Sequence, residues 1–362
     1  MLSKCRSILF VLPFLFLVIN CGPKNVTTIP GEKSGEYTFF PPLPNPPKYQ
    51  YLTTFSTSTD VKKKKSKFFK FVAGDEVEKP ITIRKAYGVD IYDGVIYVCD
   101  VGAGAVVTLN LKTNSFGYIG AQGSGKLVKP VNIKVDKTDK QLIVADIGKG
   151  QVMVFDPEGK FLRAYGKTGQ FQPSDVDVYE NKLFVCDVKG HQVHVLDRLS
   201  GDTLYTIGKP GSREGELFHP SNICIRNDRL YVSETTNFRI QIFNLEGKYI
   251  AAFGKIGDRP GNFSRPKGVA VDKEGRIYVV DAAFENVQVF DPDFKLLLFM
   301  LGPGSEKDNI NLPAGIALDY DNLQYFKSYL SPGFTAEYLV LVASNFGLNK
   351  VNVYAFGNYK NR

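Results

Sequence analysis

A strand-and-turn unit recurs six times along this 362-residue chain, and no other feature limits the possible folds as much. In each unit a short apolar segment ends on an acidic or amide residue, and a second apolar segment opens six residues later. The six end residues are Asp100, Asp146, Asp187, Glu234, Asp281 and Asn345. Their spacings of 46, 41, 47, 47 and 64 residues match the length of a four-stranded propeller blade. We therefore predict an all-β fold, a six-bladed β-propeller of four-stranded antiparallel blades.

The repeats also share their opening residues. The fullest copy, residues 263–302, holds four strands separated by polar or glycine turns, and a proline opens five of the six copies. These prolines are Pro130, Pro173, Pro220, Pro266 and Pro313. In this pattern residues 84–356 resemble NHL repeats, and the whole chain resembles the six-bladed NHL-type lipoproteins of bacteria. That resemblance implies one propeller domain, in a group whose members are mostly of unknown function.

The two ends of the predicted ring complement each other. The sixth copy runs out after its third strand, residues 351–356, and lacks an outer strand. Residues 49–56 have the length and alternation of such a strand. We therefore expect the N-terminal strand to complete the last blade, which removes a free sheet edge. The propeller domain is predicted to span residues 49–362.

The N-terminal segment indicates export and lipidation. Lys4 and Arg6 precede an apolar run at residues 8–19, too short to cross a bilayer but suited to a secretory signal. The run ends at Cys21 in a sequence that resembles the bacterial lipobox, whose cysteine is acylated. We predict a lipoprotein signal peptide at 1–20 and a lipidated, proline-rich tether at 21–48. The expected location is the bacterial cell envelope, on the periplasmic or outer-membrane face, with the lipid bilayer contacted through acylated Cys21. A plain signal peptide cut elsewhere is the alternative.

One position of the repeat is a candidate ligand site. The third residue of each Pro-x-Gly opener starts the innermost strand, and across the six copies it is Gly88, Asn132, Asp175, Asn222, Gly268 and Gly315. Three adjacent blades thus offer Asn132, Asp175 and Asn222 as candidate channel-rim ligands, with the oxygen atoms that Ca²⁺ prefers. A similarity to six-bladed lactonases and gluconolactonase-like enzymes implies a channel ion at such residues. Alternatively, Gly, Asn and Asp stand there because they tolerate a left-handed or turn backbone, without any ion.

Two segments stand outside the repeat pattern: a lysine run before the first repeat and an aromatic insertion in the sixth. Lys62, Lys63, Lys64 and Lys65 form a candidate contact for anionic lipid headgroups or an acidic protein, or else a solvated loop. Animal NHL proteins bind RNA on a basic face, but we expect no nucleic-acid partner for an exported chain. Residues 321–337 form an aromatic-rich insertion, which suits a partner-binding patch or a short helix packed on the last blade.

Several motifs have structural interpretations instead of chemical ones. Residues 120–126 nearly spell a phosphate-binding loop, but Leu127 replaces the required Ser or Thr and the Gly-x-x-Gly turn recurs between blades. His191 and His194, three positions apart on a strand, would point to opposite faces. The acids that end the strands recur too regularly for catalysis and are expected to accept turn amides. Cys99, Cys186 and Cys224 are expected to be small core residues.

These observations predict a membrane-anchored binding or scaffold module without assigned catalytic residues. Its partner would be an envelope protein, a glycan or another ligand. The net charge of +8 favours anionic partners without specifying one. The alternative is a calcium-dependent hydrolase or lyase of the lactonase kind, acting through Asn132, Asp175 and Asn222. A purely structural envelope protein is the third possibility.

Overall fold

The computed structural model describes residues 37–61, 79–302, 304 and 306–360. Within them the chain forms 25 β-strands in six antiparallel sheets and two short 3-10 helices. The predicted six-bladed β-propeller is confirmed. The signal peptide, Cys21 and the lysine run Lys62–Lys65 lie outside the described residues. None of the helices that the structure describes is long and apolar enough to cross a membrane.

The strands follow one another from the channel outwards in each blade. Strands β1 (Phe39–Phe40) and β2 (Tyr49–Phe55) precede the first blade in the chain. Blade 1 contains β3 (Ala86–Tyr92), β4 (Val95–Asp100), β5 (Ala105–Asn110) and β6 (Ser115–Ile119). Blade 2 contains β7 (Pro130–Asp136), β8 (Gln141–Asp146), β9 (Gln151–Phe155) and β10 (Phe161–Tyr165). Blade 3 contains β11 (Pro173–Tyr179), β12 (Lys182–Asp187), β13 (Gln192–Asp197) and β14 (Thr203–Ile207).

The last three blades keep the same order. Blade 4 contains β15 (Pro220–Arg226), β16 (Arg229–Glu234), β17 (Arg239–Asn244) and β18 (Tyr249–Phe253). Blade 5 contains β19 (Pro266–Val271), β20 (Ile277–Asp281), β21 (Asn286–Phe290) and β22 (Leu296–Met300). Blade 6 contains β23 (Pro313–Asp319), β24 (Phe334–Ser344) and β25 (Val351–Tyr359).

The N-terminal strand closes blade 6, as predicted. Strand β2 pairs antiparallel with β25, from Tyr49 opposite Phe356 to Phe55 opposite Val351. Strand β1 then pairs with β2 and makes this sheet five-stranded. Residues 37–48 of the predicted tether therefore fold back onto the outside of blade 6. The described propeller begins before residue 49.

The hydrophobic core is divided among the six interfaces between neighbouring blades. Six clusters of buried apolar side chains occur in the described residues, one for each pair of adjacent blades. In β20, Ile277 and Val279 pack towards blade 4, whereas Tyr278 and Val280 pack towards blade 6. Both faces of this second strand of the blade are therefore buried, which explains its nearly continuous apolar sequence.

The acids that end the second strands fix the loops on both sides of them. Asp100 accepts hydrogen bonds from the amides of Arg84 (2.7 Å), Lys85 (2.8 Å) and Gly102 (3.0 Å). Equivalent bonds occur at Asp146, Asp187 and Asp281. The predicted structural role is confirmed. Each carboxylate also holds the segment that leads into the inner strand, and this sets where that strand starts.

The aromatic insertion packs between the last blade and the first. It forms 3-10 helices at Leu323–Tyr325 and Lys327–Tyr329, and Phe326 between them is buried in the cluster shared by blades 6 and 1. The side chain of Asn322 accepts a hydrogen bond from the amide of Gly94 in blade 1 (2.7 Å). The insertion therefore joins the last blade to the first, and its packing on the last blade agrees with the expectation.

Candidate functional site

The inner strands of all six blades line one central cavity. It has a volume of about 460 Å³ and runs from the third or fourth residue of each inner strand to residues at or just beyond the strand ends. The predicted rim residues Asn132, Asp175 and Asn222 all line it and are all buried. The structure therefore brings the three predicted ligands into one channel.

Close approach between blades selects the small residues of the rim. The described residues with a left-handed backbone include none of the six rim positions, so the proposed turn conformation does not explain them. Each rim residue instead stands at or beside an irregularity in the pairing of its inner strand. A Cβ atom on Gly268 would lie 2.8 Å from the carbonyl oxygen of Ala314 in the next blade. Glycine occurs there because neighbouring backbones leave no room for a side chain.

Asp175 bridges two blades through backbone amides. Its Oδ1 accepts the amide of Val176 (2.8 Å), and its Oδ2 accepts the amide of Ile223 in blade 4 (2.9 Å). Asn222 donates a third hydrogen bond to Oδ2 (3.3 Å). Burial, which outweighs these hydrogen bonds, raises the pKa of the Asp175 carboxyl to about 7.

The rim offers few free oxygens to a metal ion. Calcium takes six to eight oxygen ligands, whereas the rim has a single carboxylate whose two oxygens already accept amide hydrogens. In the described part of the chain no three His, Cys, Asp or Glu side chains are arranged to hold a metal. The Oδ1 atom of Asn222 is buried without a hydrogen-bond partner. These residues do not by themselves complete a calcium site, and calcium binding stays a prediction.

A second layer of charged side chains lies two residues further along the inner strands. Lys134 and Asp177 form an ion pair at 3.0 Å, and Asp90 accepts the amide of Val135 in the next blade (2.8 Å). Burial acts to lower the pKa of Lys134, but its interactions with Asp177, Cys224 and Asp90 together outweigh burial, and the pKa is raised. This layer was not predicted from the sequence. Its signal is the two-residue period that places these side chains on the same channel face as the rim.

The far end of the cavity carries a cationic and aromatic cluster, which we call the channel mouth: Arg226, Lys273 and Tyr320. Arg226 ends β15, Lys273 follows β19 and Tyr320 follows β23, so three successive blades contribute. The ammonium nitrogen of Lys273 lies 4.0 Å from the centre of the Tyr320 ring, and the guanidinium carbon of Arg226 lies 6.0 Å from it. These residues were not predicted as a site from the sequence, because the three blades place different residue types there.

The Tyr320 ring is held firmly in this cluster. Its hydroxyl oxygen accepts a hydrogen bond from the amide of Lys273 (3.0 Å), and its ring packs on Tyr338 with the centroids 4.8 Å apart. Tyr338 in turn donates to Asp272 (2.8 Å) and shares a hydrogen bond with Tyr278 (2.6 Å). The channel mouth is therefore braced by a buried tyrosine network between blades 5 and 6.

The three histidines have separate roles. His191 lies in the turn before β13 with a φ of 58°, and the prediction that it lies on the strand is wrong. Its Nδ1 accepts the amide of His219 (2.9 Å), and its ring stacks on Phe218. His194 lies on β13 and contacts Asp187 at 3.1 Å. His191 and His194 therefore do not face a common metal position.

The apparent phosphate loop is a turn between blades. It connects β6 to β7 and is closed by a hydrogen bond from the amide of Leu127 to the carbonyl oxygen of Gly120 (2.7 Å). A second bond joins the amide of Lys126 to the oxygen of Gly123 (3.1 Å). The predicted structural interpretation is confirmed.

The cysteines of the described chain are free thiols. Cys99 and Cys186 are fully buried between blades, as expected of small core residues. Cys224 packs against the blade 4 and 5 cluster but also lines the central cavity. Burial raises the pKa of its thiol to about 12, which keeps it protonated and unreactive.

Comparison with known sequences identifies related repeats. Residues 212–354 match a family described as a 6-bladed beta-propeller. Protein brain tumor of Drosophila melanogaster is 31% identical over 113 residues, which are 30% of this chain and 10% of that protein. NHL repeat-containing protein 2 of Gallus gallus is 26% identical over 128 residues, 29% of this chain and 18% of that protein. The chain spans less than a fifth of the length of either relative.

Solved structures share the fold. A protein of unknown function from Bacteroides thetaiotaomicron superposes with a TM-score of 0.57 at 15% identity, covering 84% of this chain and 75% of that one. Virginiamycin B lyase from Staphylococcus aureus gives a TM-score of 0.52 at 13% identity, covering 76% of this chain and 96% of the lyase. At such low identity the likeness concerns the fold alone.

Proposed function

We propose that this chain, an NHL-type six-bladed β-propeller, is a lipid-anchored binding module of the bacterial cell envelope that holds its ligand in the central cavity. The observation that supports this most directly is the cavity itself, about 460 Å³ in volume and lined by polar and charged side chains of neighbouring blades. Cavities of this size suit small molecules or the end of a larger one. The ligand is an envelope glycan or protein whose terminal group enters the cavity.

Site-specific crosslinking in native membranes tests the binding proposal. A photoreactive residue replaces Asp321, which lines the cavity and has 66% of its side chain exposed. The control places the same residue at Leu348, 81% exposed in the loop between β24 and β25 and outside the cavity lining. We expect an adduct from position 321 and not from position 348. Equal labelling at both positions, or none at 321, would argue against a ligand in the cavity.

The proposed anchor depends on Cys21, which lies outside the described residues. We expect the mature chain to begin at an acylated Cys21 and to sediment with membranes, because two or three acyl chains anchor firmly. A Cys21→Ser variant should move to the soluble fraction, whereas a Cys99→Ser variant should not. Mass spectrometry of the mature N-terminus decides the matter, and an unmodified Cys21 contradicts the anchor.

A calcium-dependent hydrolase or lyase is the second candidate, supported by the unpartnered Oδ1 of Asn222 beside Asp175. Catalysis of this kind requires an ion at the rim, with Asn132, Asp175 and Asn222 among its ligands. Metal analysis of the purified chain, with Asn222→Ala for comparison, tests it. Absence of a stoichiometric ion in the wild-type chain excludes this candidate.

A further inference from the structure

The cations around the central cavity differ in whether a carboxylate neutralises them. Lys134 pairs with Asp177 at 3.0 Å, and Lys137 pairs with Asp319 and Asp321 at 2.9 and 2.6 Å. Among the described residues, neither Arg226 nor Lys273 lies within ion-pair distance of a carboxylate. Two positive charges therefore face the cavity without a counter-charge.

Arg226 has an unfilled hydrogen-bonding position. Its Nε atom is buried, yet it has no acceptor among the described residues. A buried donor without a partner costs about 1–3 kcal/mol, and more when the group is charged. The guanidinium lies over the Tyr320 ring, which orients it without neutralising it. Because the described residues leave this cation without a carboxylate, Arg226 is available to an anion that enters the cavity.

The charge around the channel mouth selects a single negative charge. Asp90 and Asp175 also line the cavity and form no ion pair among the described residues, so a second negative charge on the ligand would be repelled. A carboxylate carries one charge, and its two oxygens match the forked donors of a guanidinium. Lys273, 4.0 Å from the same ring, supplies a second donor from the next blade.

The remaining lining suits hydroxyl groups. Between the rim and the mouth the cavity presents amide and carboxylate oxygens from Asn132, Asp177 and Asp90, set among Val, Ile and Leu residues of the inner strands. Such oxygens accept hydrogen bonds from a ligand that carries several hydroxyls. A volume of about 460 Å³ accommodates a single sugar ring.

We infer that Arg226, Lys273 and Tyr320 form a subsite for the carboxylate of an acidic sugar, such as a uronic acid, whose hydroxyls face the interior of the channel. The inference rests on the proposed function, because it assigns a ligand class to the same cavity. The Tyr320 ring supports both cations, and Arg226 makes the forked contact with the carboxylate.

Titration calorimetry with the full mature chain tests the subsite, using glucuronate as the ligand and glucose as its uncharged match. We expect glucuronate to bind, glucose to bind at least tenfold more weakly, and the glucuronate affinity to fall with added salt. Arg226→Gln and Lys273→Gln should each weaken glucuronate binding about tenfold or more. The matched control Arg229→Gln, at the exposed first residue of β16, should bind as the wild type does.

The outcomes separate this inference from the proposed function. No binding of glucuronate at 10 mM, or equal binding of glucose, overturns the carboxylate subsite, even where crosslinking at position 321 supports a ligand in the cavity. Tighter binding of inorganic phosphate than of glucuronate overturns the inference that the ligand carries a single negative charge. Circular dichroism confirms that each variant is folded. If Arg226→Gln fails to fold, the Lys273→Gln variant and the salt dependence of glucuronate binding test the subsite instead. Wild-type glucuronate affinity in Lys273→Gln would overturn the subsite.

Discussion

The side chain of Asp175 in the channel both links two blades and has a raised pKa. Its carboxyl joins the inner strands of blades 3 and 4 by accepting the amide of Ile223, and burial raises its pKa to about 7. The ordinary pKa of an Asp in an unfolded chain is about 3.9. The folded state therefore binds a proton at this site over a pH range in which the unfolded state does not.

This shift predicts a specific pH dependence of stability. Because the folded pKa is raised, the contribution of Asp175 is fully present below about pH 4 and is lost as the pH rises through about 7. We expect the wild type to lose stability over that range relative to an Asp175→Asn variant. Urea unfolding between pH 4.5 and 8 measures the difference.

Asp197 provides the matched control. Backbone amides of Ser200 and Leu199 lower the pKa of its exposed carboxyl, so its contribution has the opposite sign and is lost as the pH falls. An Asp197→Asn variant should leave the change between pH 5 and 8 as in the wild type. Parallel stability curves for the wild type and Asp175→Asn would contradict the buried, proton-binding carboxyl.

The sequence predicted where the channel residues are but not what they contact. The repeat places Asn132, Asp175 and Asn222 at equivalent positions, so their meeting in one channel followed from the fold. The contact of Asp175 with the amide of Ile223 depends on the offset between β11 and β15, and the sequence of a single repeat does not determine that offset. Arg226 and Lys273 were not predicted, because what distinguishes them is the lack of a nearby carboxylate. That lack depends on distances between blades, which the sequence does not show.

At the scale of elements, strand β2 does more than fill an empty edge. Gln50 on β2 is fully buried and donates to the carbonyl oxygen of Tyr329 (2.7 Å), while its own oxygen accepts the amide of Ser331 (3.0 Å). Tyr49 shares a hydrogen bond with Tyr278 of blade 5 (2.8 Å). The strand is thereby fastened to the aromatic insertion and to the neighbouring blade.

Gln50→Ala should destabilise the chain strongly. The substitution leaves the buried amide of Ser331 and the part-buried carbonyl of Tyr329 without partners, and a buried group left so costs about 1–3 kcal/mol. We expect the free energy of unfolding to fall by about 2–4 kcal/mol, measured by urea denaturation. Thr53→Ala, on the same strand but half-buried, should cost much less. Similar losses in the two variants would show that the side-chain contacts of Gln50 are not responsible.

The partner of the last blade was predictable from the sequence because the sixth copy lacks one strand and residues 49–56 supply one. The fifth strand β1 was not predictable. Its two residues, Phe39 and Phe40, lie within a proline-rich segment whose composition favours an extended tether. Packing of Phe39 against Phe334 and Tyr359 overrides that local preference.

At the scale of the whole molecule, stability depends on the contact between blades 6 and 1, where the ring closes. A Cβ atom on Gly315 would overlap the carbonyl oxygen of Tyr87 and lie 3.0 Å from the Cα of Gly88. Both obstacles are backbone atoms of the first blade, which cannot move aside without shifting the whole strand. Glycine at this position therefore allows the inner strands of blades 6 and 1 to approach each other this closely.

Gly315→Ala should open or strain this contact. We expect a loss of about 1–3 kcal/mol in the free energy of unfolding, as for other overpacked cores. The control is Gly302→Ala, because a Cβ atom at Gly302 meets nothing within 4 Å. Thermal unfolding of both variants measures the effect. If the two variants melt alike, close packing of the inner strands does not limit ring closure.

The hairpin of β1 and β2 has a mechanical consequence if the chain is anchored through Cys21. A pulling force from the membrane side reaches β1 before it reaches β2. Strand β1 is held by two residue pairs and by bonds such as that from the amide of Tyr51 to the oxygen of Thr38 (2.9 Å). Strand β2 is held by six residue pairs with β25 and by the side-chain hydrogen bonds of Gln50 and Tyr49. Under load the short strand peels off first and lengthens the tether, so that the strand that closes the ring is protected from tension.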